Sequence, residues 1–491
     1  MGTAESNLGA AARSATSGSE LLSERIAPGI LPKVLGPFDM VAIFVAIVLF
    51  ANQASVIQAA GAAGFVYWIL GFVTFLIPGA IVTGQLGLMF PGEGSIYVWT
   101  HKALGTFWGF FAGFCAWWPG ILVMIATADL IVTMLQFLNS GWLQQPWQQG
   151  IVIVAVIWFS TGLSILRFRV TQNMVNIVFV IYGAAIAAIT LAGIAWLLGG
   201  HAPANDFSTS AFSLNSSNAT FYGLVILALL GIEVPLNMGV EVKDRRAITS
   251  YLFWGSIVVM VAYLALTWAA MVVVPQKDAN STTAILQAVQ ISLGSAVSTV
   301  VALILIAFFL FNTTVYNYSF ARLLFVSGLD QRLPAMMARV NRNKVPHVAV
   351  ITQAIITTVI TVVTFIGFSG NPNLSTQVYL VLQAAVTVIW CLSMVILFVD
   401  VLIIRNKFPT EFKREQLVPN GVFVAASVFG AVASAAGIWV TLTGSWNPTL
   451  IPNGPWLLIV GGVTLASLVV AVIVYSIGPR RRPGAAQQST A

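Results

Sequence analysis

Charge is what this sequence has least of: Asp, Glu, Lys and Arg make up 8% of its 491 residues, against 58% hydrophobic. Soluble domains carry about 25% charged residues, so a soluble fold of this length is excluded, and so is a disordered chain. Cysteine is nearly absent. The two that exist, Cys115 and Cys391, both fall inside long apolar runs, which removes a disulfide scaffold. The three histidines (His101, His201 and His347) stand apart in polar stretches, and no Cys/His cluster has the spacing of a metal site. No metal, no cofactor and no nucleic-acid partner is expected. A nucleophile–base pair is also missing, which argues against an enzyme. The first thirty-odd residues lack the apolar core and cleavage site of a signal peptide; residues 1–34 read instead as a disordered tail.

Long apolar runs are what the chain does have. A run of about 20 residues crosses a hydrocarbon core of roughly 30 Å. Twelve candidates follow one another at roughly 38–60, 65–90, 104–137, 150–166, 171–198, 219–241, 249–274, 290–323, 347–368, 376–404, 420–443 and 455–478. The fold class is therefore an all-α polytopic membrane protein with twelve transmembrane helices, and residues 479–491 form a second polar tail.

The net charge of +7 follows the same plan. With twelve spans and both termini cytoplasmic, every one of the 22 basic residues except Lys277 falls on the inner side. That is the asymmetry of an inserted membrane protein, and it needs no anionic partner. A plasma membrane location is expected, the inner membrane if the cell is bacterial. Asn215, Asn218 and Asn280 begin N-x-S/T triplets in outer loops, a pattern that short polar loops also produce by chance.

Charge within a bilayer is costly and commonly functional. Of fifteen acidic residues, Asp39, Asp129, Glu233 and Asp400 fall within spans, with no Lys or Arg deep in any span. Asp39 and Asp400 lie near inner ends and read as solvated caps. Glu233 is the sharper residue. It sits in Leu229-Leu230-Gly231-Ile232-Glu233-Val234-Pro235, and Pro235 cannot donate the helical bond to the Gly231 carbonyl. The segment reads as a functional break, with a plain proline kink as the bland alternative. The matching place in the first half is Ala51-Asn52-Gln53-Ala54-Ser55, polar groups that compete for backbone bonds or simply join helices. Asp129, Trp117 and Trp118 in the third span and Asn312, Thr313, Thr314 and Asn317 in the eighth are secondary candidates, each also consistent with packing.

Several motifs in order give the chain a family likeness. Gly231-Ile232-Glu233 is followed by Glu241-Val242-Lys243-Asp244-Arg245-Arg246. Pro91-Gly92-Glu93-Gly94-Ser95-Ile96-Tyr97 follows the second span. Ser319-Phe320-Ala321-Arg322, Gly328-Leu329-Asp330 and Leu333-Pro334 close the eighth. Over roughly residues 35–480 the chain resembles the amino acid–polyamine–organocation superfamily of permeases. The resemblance implies a leucine-transporter-like fold: a 5+5 inverted repeat over 35–200 and 215–405, with broken helices 1 and 6, and two peripheral helices over 418–478. It also implies a substrate held by Ala51, Asn52, Gln53, Ala54, Ser55, Gly231, Ile232 and Glu233. Free amides at a half-helix N-terminus suit a carboxylate, and free carbonyls at a half-helix C-terminus suit an ammonium group.

This chain departs from the family pattern in three places. Span 1 lacks the family's paired glycines. Leu227 stands where an aromatic gate is common. The fifth span has Phe179 near the position of a coupling lysine, and no lysine at all. The expected function is alternating-access transport of a small amino acid or amino-acid-derived amine, driven by protons or by exchange, with Glu233 as the proton-responsive group. A sodium-coupled symporter, with carbonyls near Ala51 and Asn52 and the hydroxyls of Thr313 and Thr314 as oxygen ligands, is the first alternative. A ligand sensor that does not transport is the second.

Overall fold

Inside a hydrocarbon layer the backbone has no water to bond, so spanning segments close their own hydrogen bonds as helices. The computed structural model describes residues 20–215, 218–278, 282–370 and 372–478. Among these, twelve helices are long and apolar enough to cross a membrane: Pro37–Gln58, Ala63–Met89, Thr106–Leu138, Pro146–Ser164, Phe168–Leu198, Thr220–Asn237, Arg245–Val273, Ser295–Leu329, His347–Gly367, Thr376–Lys407, Asn420–Thr443 and Asn453–Ile477. Numbered in that order, they match the twelve runs expected from hydropathy to within about six residues.

Burial separates a centre from a rim. The most apolar stretch of the first span is 83% buried inside the protein, and those of the sixth and tenth are 72% buried. The twelfth falls to 22% and the eleventh to 39%, so most of their apolar surface faces outward. Helices that are hydrophobic all round belong at the centre, where protein surrounds them on every side. The interior is rich in aromatic pairs: Trp68 stacks on Tyr263 at 4.1 Å between centroids and Tyr182 on Phe308 at 3.6 Å. Such pairs add about 0.5–1.5 kcal/mol beyond the area they bury.

The structure corrects two expectations. The described part of the stretch read as a disordered tail carries a helix, Leu22–Ile30, whose Ser23 donates from both its amide and its hydroxyl to the Asp330 carboxylate at 2.8 and 2.9 Å. Its sequence is too polar for a span, but Ala27 and Leu31 bury against Phe325 on the face that carries the basic loops. Asp400 is not a solvated cap. It is fully buried and accepts a bond from the Thr100 hydroxyl, on a helix (Ser95–Leu104) that follows the second span and packs against the third and tenth. Of the glycosylation triplets, the Asn218 side chain is held in bonds to Tyr67 and Ser213, and Asn280 lies outside the described residues.

Asp39 anchors the entry of the first span. Its carboxylate takes the Gly36 amide at 2.8 Å, Arg169 Nη1 at 2.7 Å and Asn176 Nδ2 at 2.6 Å. Arg169→Ala should lower the melting temperature by an amount equivalent to about 1–3 kcal/mol, because it leaves a buried acceptor charge uncompensated. Asp39→Asn in the same background should recover part of the loss, a coupling that a double-mutant cycle of thermal unfolding reads directly.

Candidate functional site

Two of the central helices stop and restart within the protein. The first span is helical over Pro37–Val48, extended at Leu49 and Phe50, and helical again over Ala51–Gln58. The sixth is helical over Thr220–Leu229, turns out of helix at Leu230 and Gly231, and continues as a tight 3-10 turn over Val234–Asn237. Gly231 adopts φ +104°, a conformation that side chains with a Cβ rarely take, and a Cβ there would lie 2.5 Å from Ile47 of the first span. Glycine therefore allows the break and lets the two broken helices touch.

Each break frees carbonyls that helices normally bond, and side chains from other spans take them. Asn312 Nδ2 donates to the Ala46 carbonyl. The Tyr316 hydroxyl donates to Ile47 O at 2.7 Å, and the Tyr182 hydroxyl to Leu49 O at 3.0 Å. Tyr263 reaches both helices, with its hydroxyl 2.6 Å from Val48 O and 3.2 Å from Ala228 O. The tyrosine oxygens also serve the restart: the Phe50 amide donates to Tyr263 and the Ala51 amide to Tyr182, each at 3.1 Å. On the sixth span Tyr251 donates to Ile232 O at 3.2 Å. An orphaned polar group in an apolar medium costs several kcal/mol, so this set of side chains is what makes the breaks tolerable.

Glu233 lies in the sixth-span break, 1% exposed. One carboxylate oxygen accepts the Trp390 indole N–H at 3.0 Å; the other has no hydrogen-bond partner among the described residues. Among the described residues no Lys or Arg pairs with it. A buried acid with a free oxygen and no cation is well placed to receive a proton or an ammonium group.

The expected site residues are only partly brought together. Gly231, Ile232 and Glu233 form the sixth-span break. In the first span the irregular pair is Leu49–Phe50, two residues earlier than expected, and Ala51 to Ser55 begin the second half-helix instead. Of these, Ala51 lies at the break, Asn52 is buried with its side-chain oxygen unpartnered, Gln53 is half-buried, and Ala54 packs in the core. The Ser55 hydroxyl accepts the Ile285 amide, a tie to the short helix Ala284–Leu293. Leu227 is half-buried among core side chains one turn before the break.

The secondary candidates mostly serve packing. Trp117 donates to Gln353 of the ninth span at 3.0 Å, and Trp118 stacks on Phe114. Thr313 bonds back to Phe309 O and meets Thr127 of the third span at 2.7 Å; Thr314 bonds back to Leu310 O. The eighth-span groups bonded to the first span are Asn312 and Tyr316. Asp129 lies near Tyr379 of the tenth span, and Gln383, one turn further along, donates to Leu122 O. Two cavities, of about 650 Å³ around Phe65, Phe207 and Trp268 and about 410 Å³ around Gln377 and Leu450, both lie away from the breaks.

Sequence reasoning missed Tyr182, Tyr251, Tyr263 and Tyr316. The available signal was a hydroxyl-bearing aromatic deep within an apolar run, a polar tip that needs a partner wherever it is buried.

Comparison with known proteins follows the same lines. A family model described as Amino acid permease matches residues 35–478. An uncharacterized transporter of Legionella pneumophila is 25% identical over 435 residues, 86% of this chain and 91% of that one. A probable agmatine/putrescine antiporter of Lactococcus lactis is 25% identical over 287 residues, 56% of this chain and 59% of that protein. Among solved structures, MhsT in complex with L-phenylalanine superposes with a TM-score of 0.59 at 14% identity, covering 84% of this chain and 99% of that one; the likeness is one of fold.

Gly231→Ala should cost about 1–3 kcal/mol of stability through strain and the Ile47 contact. Ile47→Ala should relieve the contact but not the backbone strain, so the double variant is expected to recover only part of the melting temperature in detergent. Tyr263→Phe should also destabilise, by about 1–3 kcal/mol, since it removes the one O–H that Val48 O and Ala228 O share and the oxygen that accepts the Phe50 amide.

Proposed function

The chain belongs to the amino acid permease family, and on that premise we propose that it is a secondary transporter moving a small organic amine, or an amino acid, by alternating access. Substrate is held where the first and sixth spans are interrupted. The basic face is cytoplasmic, in keeping with the preference of Lys and Arg for cytoplasmic loops. The two halves form a 5+5 inverted repeat. Supporting this, the helical parts before the two breaks have similar lengths, Pro37–Val48 and Thr220–Leu229, and the second and seventh spans each contain a π-helical turn, Phe72–Leu76 and Tyr251–Gly255.

One observation carries the substrate reading: Glu233 is a buried, unpaired acid with a free oxygen at the break. It suits an ammonium group. The carboxylate side of a zwitterion is less well served. The Phe50 and Ala51 amides, the first at the restart, are already bonded to Tyr263 and Tyr182. The asymmetry favours an amine over a zwitterion, and the name of the Lactococcus relative points the same way. Proton coupling or exchange follows from the same residue: cation and proton compete for one carboxylate, so binding one releases the other. Asp129, a second acid with no salt-bridge partner among the described residues, adds to the preference for cations.

Sodium coupling has no comparable support, because Thr313 and Thr314 bond back onto their own helix and Thr313 turns to Thr127. Replacing sodium with choline should leave uptake unchanged.

In proteoliposomes the protein should accumulate agmatine or putrescine in preference to serine, which also separates a transporter from a sensor. Glu233→Gln should reduce amine-induced thermal stabilisation and uptake by about 10–100-fold, the worth of one charge-assisted bond of about 1.5–3 kcal/mol. It should also abolish the substrate-dependent proton movement seen with a trapped pH dye. Wild-type affinity for amines in that variant would refute the site.

A further inference from the structure

The three motifs that carried the family likeness meet at one point on the basic face, around Arg322. Its guanidinium is fully buried at the end of the eighth span. It donates from Nη2 to Glu241 Oε1 at 2.7 Å and from Nη1 to Tyr318 O at 3.2 Å, and lies 5.2 Å from the centre of the Phe168 ring. Glu93 approaches the same guanidinium, Oε1 to Nε, at 3.5 Å, and its other oxygen accepts the Val240 amide at 3.2 Å. Two carboxylates thus share one cation, and all three groups are out of contact with solvent.

The backbone around them is a seal. Glu93 pairs with Met238 and Leu35 with Val242 as isolated bridges. The amides of Val34 and Leu35 both donate to Glu241 O at 2.9 Å, and the Gly94 amide to Asn237 O at 2.9 Å. Ser95 donates to the Asn237 side chain at 2.6 Å. A Cβ at Gly239 would meet Gly92 O at 2.4 Å, so only glycine allows the two chains this close. The entry to the first span, the turn after the second and the end of the sixth are thereby latched to the eighth.

The nearby charges are matched elsewhere. Glu24 pairs with Lys102 at 3.0 Å and Asp39 with Arg169 at 2.7 Å. Asp330 is bonded to Ser23, the Tyr318 hydroxyl donates to Gln172, and Lys33, Lys243 and Asp244 are exposed. Tyr97, on the helix that follows Glu93, interacts with Asp330. Among the described residues, the charged groups that act on Glu93 are Glu241 and Arg322, so two acids share one base.

We infer that Glu93 is a proton-binding site of this transporter, protonated when the latch on the basic face is closed and released to water when it opens. The site is distinct from Glu233 and rests on the alternating-access reading. Burial, and then the neighbouring Glu241 charge, push the Glu93 carboxyl well above the usual carboxylate range, against the pull of Arg322 and the Val240 amide. In the opened, hydrated state the carboxyl returns toward its ordinary value of about 4.3. The closed state therefore binds more protons. Closure is favoured most fully below that ordinary value, and the advantage is lost as pH rises through the closed-state value.

The test uses spin labels at Lys33→Cys and Arg339→Cys, two exposed positions on the basic face, with Cys115 and Cys391 buried. Without substrate, the distance distribution of the otherwise unmodified protein should shift toward the longer, open population as pH rises from about 5 to about 9. Glu93→Gln should abolish the shift and keep the closed population at high pH. Glu241→Gln should move the shift to lower pH and shrink it, because burial of Glu93 remains while the second acid's charge is gone. A wild-type pH response in either variant overturns the inference, and with uptake retained it overturns this inference alone. A single distance at every pH, together with no uptake, overturns alternating access as well.

Discussion

Everything at the centre of this protein depends on one constraint: a peptide group released from helix inside an apolar interior must find a new partner. Four consecutive carbonyls, from Ala46 to Leu49, lose or weaken their helical partners where the first span stops, and each is met by a side chain from another span, Asn312, Tyr316, Tyr263 or Tyr182. The breaks are therefore a property of the bundle. A tyrosine supplies both halves of what is needed, a ring that packs in an apolar core and a hydroxyl that both donates and accepts. Tyr263 uses both functions, bridging Val48 and Ala228 on the carbonyl side and Phe50 on the amide side. A rearrangement of either broken helix must move this residue or exchange its bonds.

Glu233 brings an acid with one unpartnered oxygen into that scheme. Its environment is otherwise well bonded, with the Trp390 indole on one oxygen and tyrosines around the adjoining backbone. A buried acid without a cation beside it, in an interior otherwise rich in hydrogen bonds, is the feature on which the proposed substrate and proton site rests. The latch around Arg322 differs from a simple, balanced salt bridge, because two acids share one base inside a sealed contact. The two acids differ in what would open them: Glu233 sits between broken helices, while Glu93 sits beneath a backbone seam that must part before water reaches it.

Several readings failed for the same reason. Asp400 lies near a helix end in sequence, but the helix Ser95–Leu104 covers it. The Leu22–Ile30 segment is polar, yet its few apolar residues find a niche beside Phe325. Thr313 and Thr314 have suitable oxygens for a cation, but helical phase turns Asn312 and Tyr316 toward the first span instead. In each case residue type was right and the facing neighbour was unknowable from local order.

Hydropathy and charge alone determined that the chain spans a membrane twelve times and that nearly all its basic residues share one face, because both are additive properties of consecutive side chains moving from water into lipid. Gly231, Glu233 and Pro235 were also enough to mark the sixth span, since missing donors and a lone acid in an apolar run are local facts. The position of the first break, the tyrosines that stabilise it, and the convergence of Glu93, Glu241 and Arg322 were decided only by the tertiary structure. Those depend on which helix faces lie opposite one another, and that is set by packing among segments up to two hundred or more residues apart.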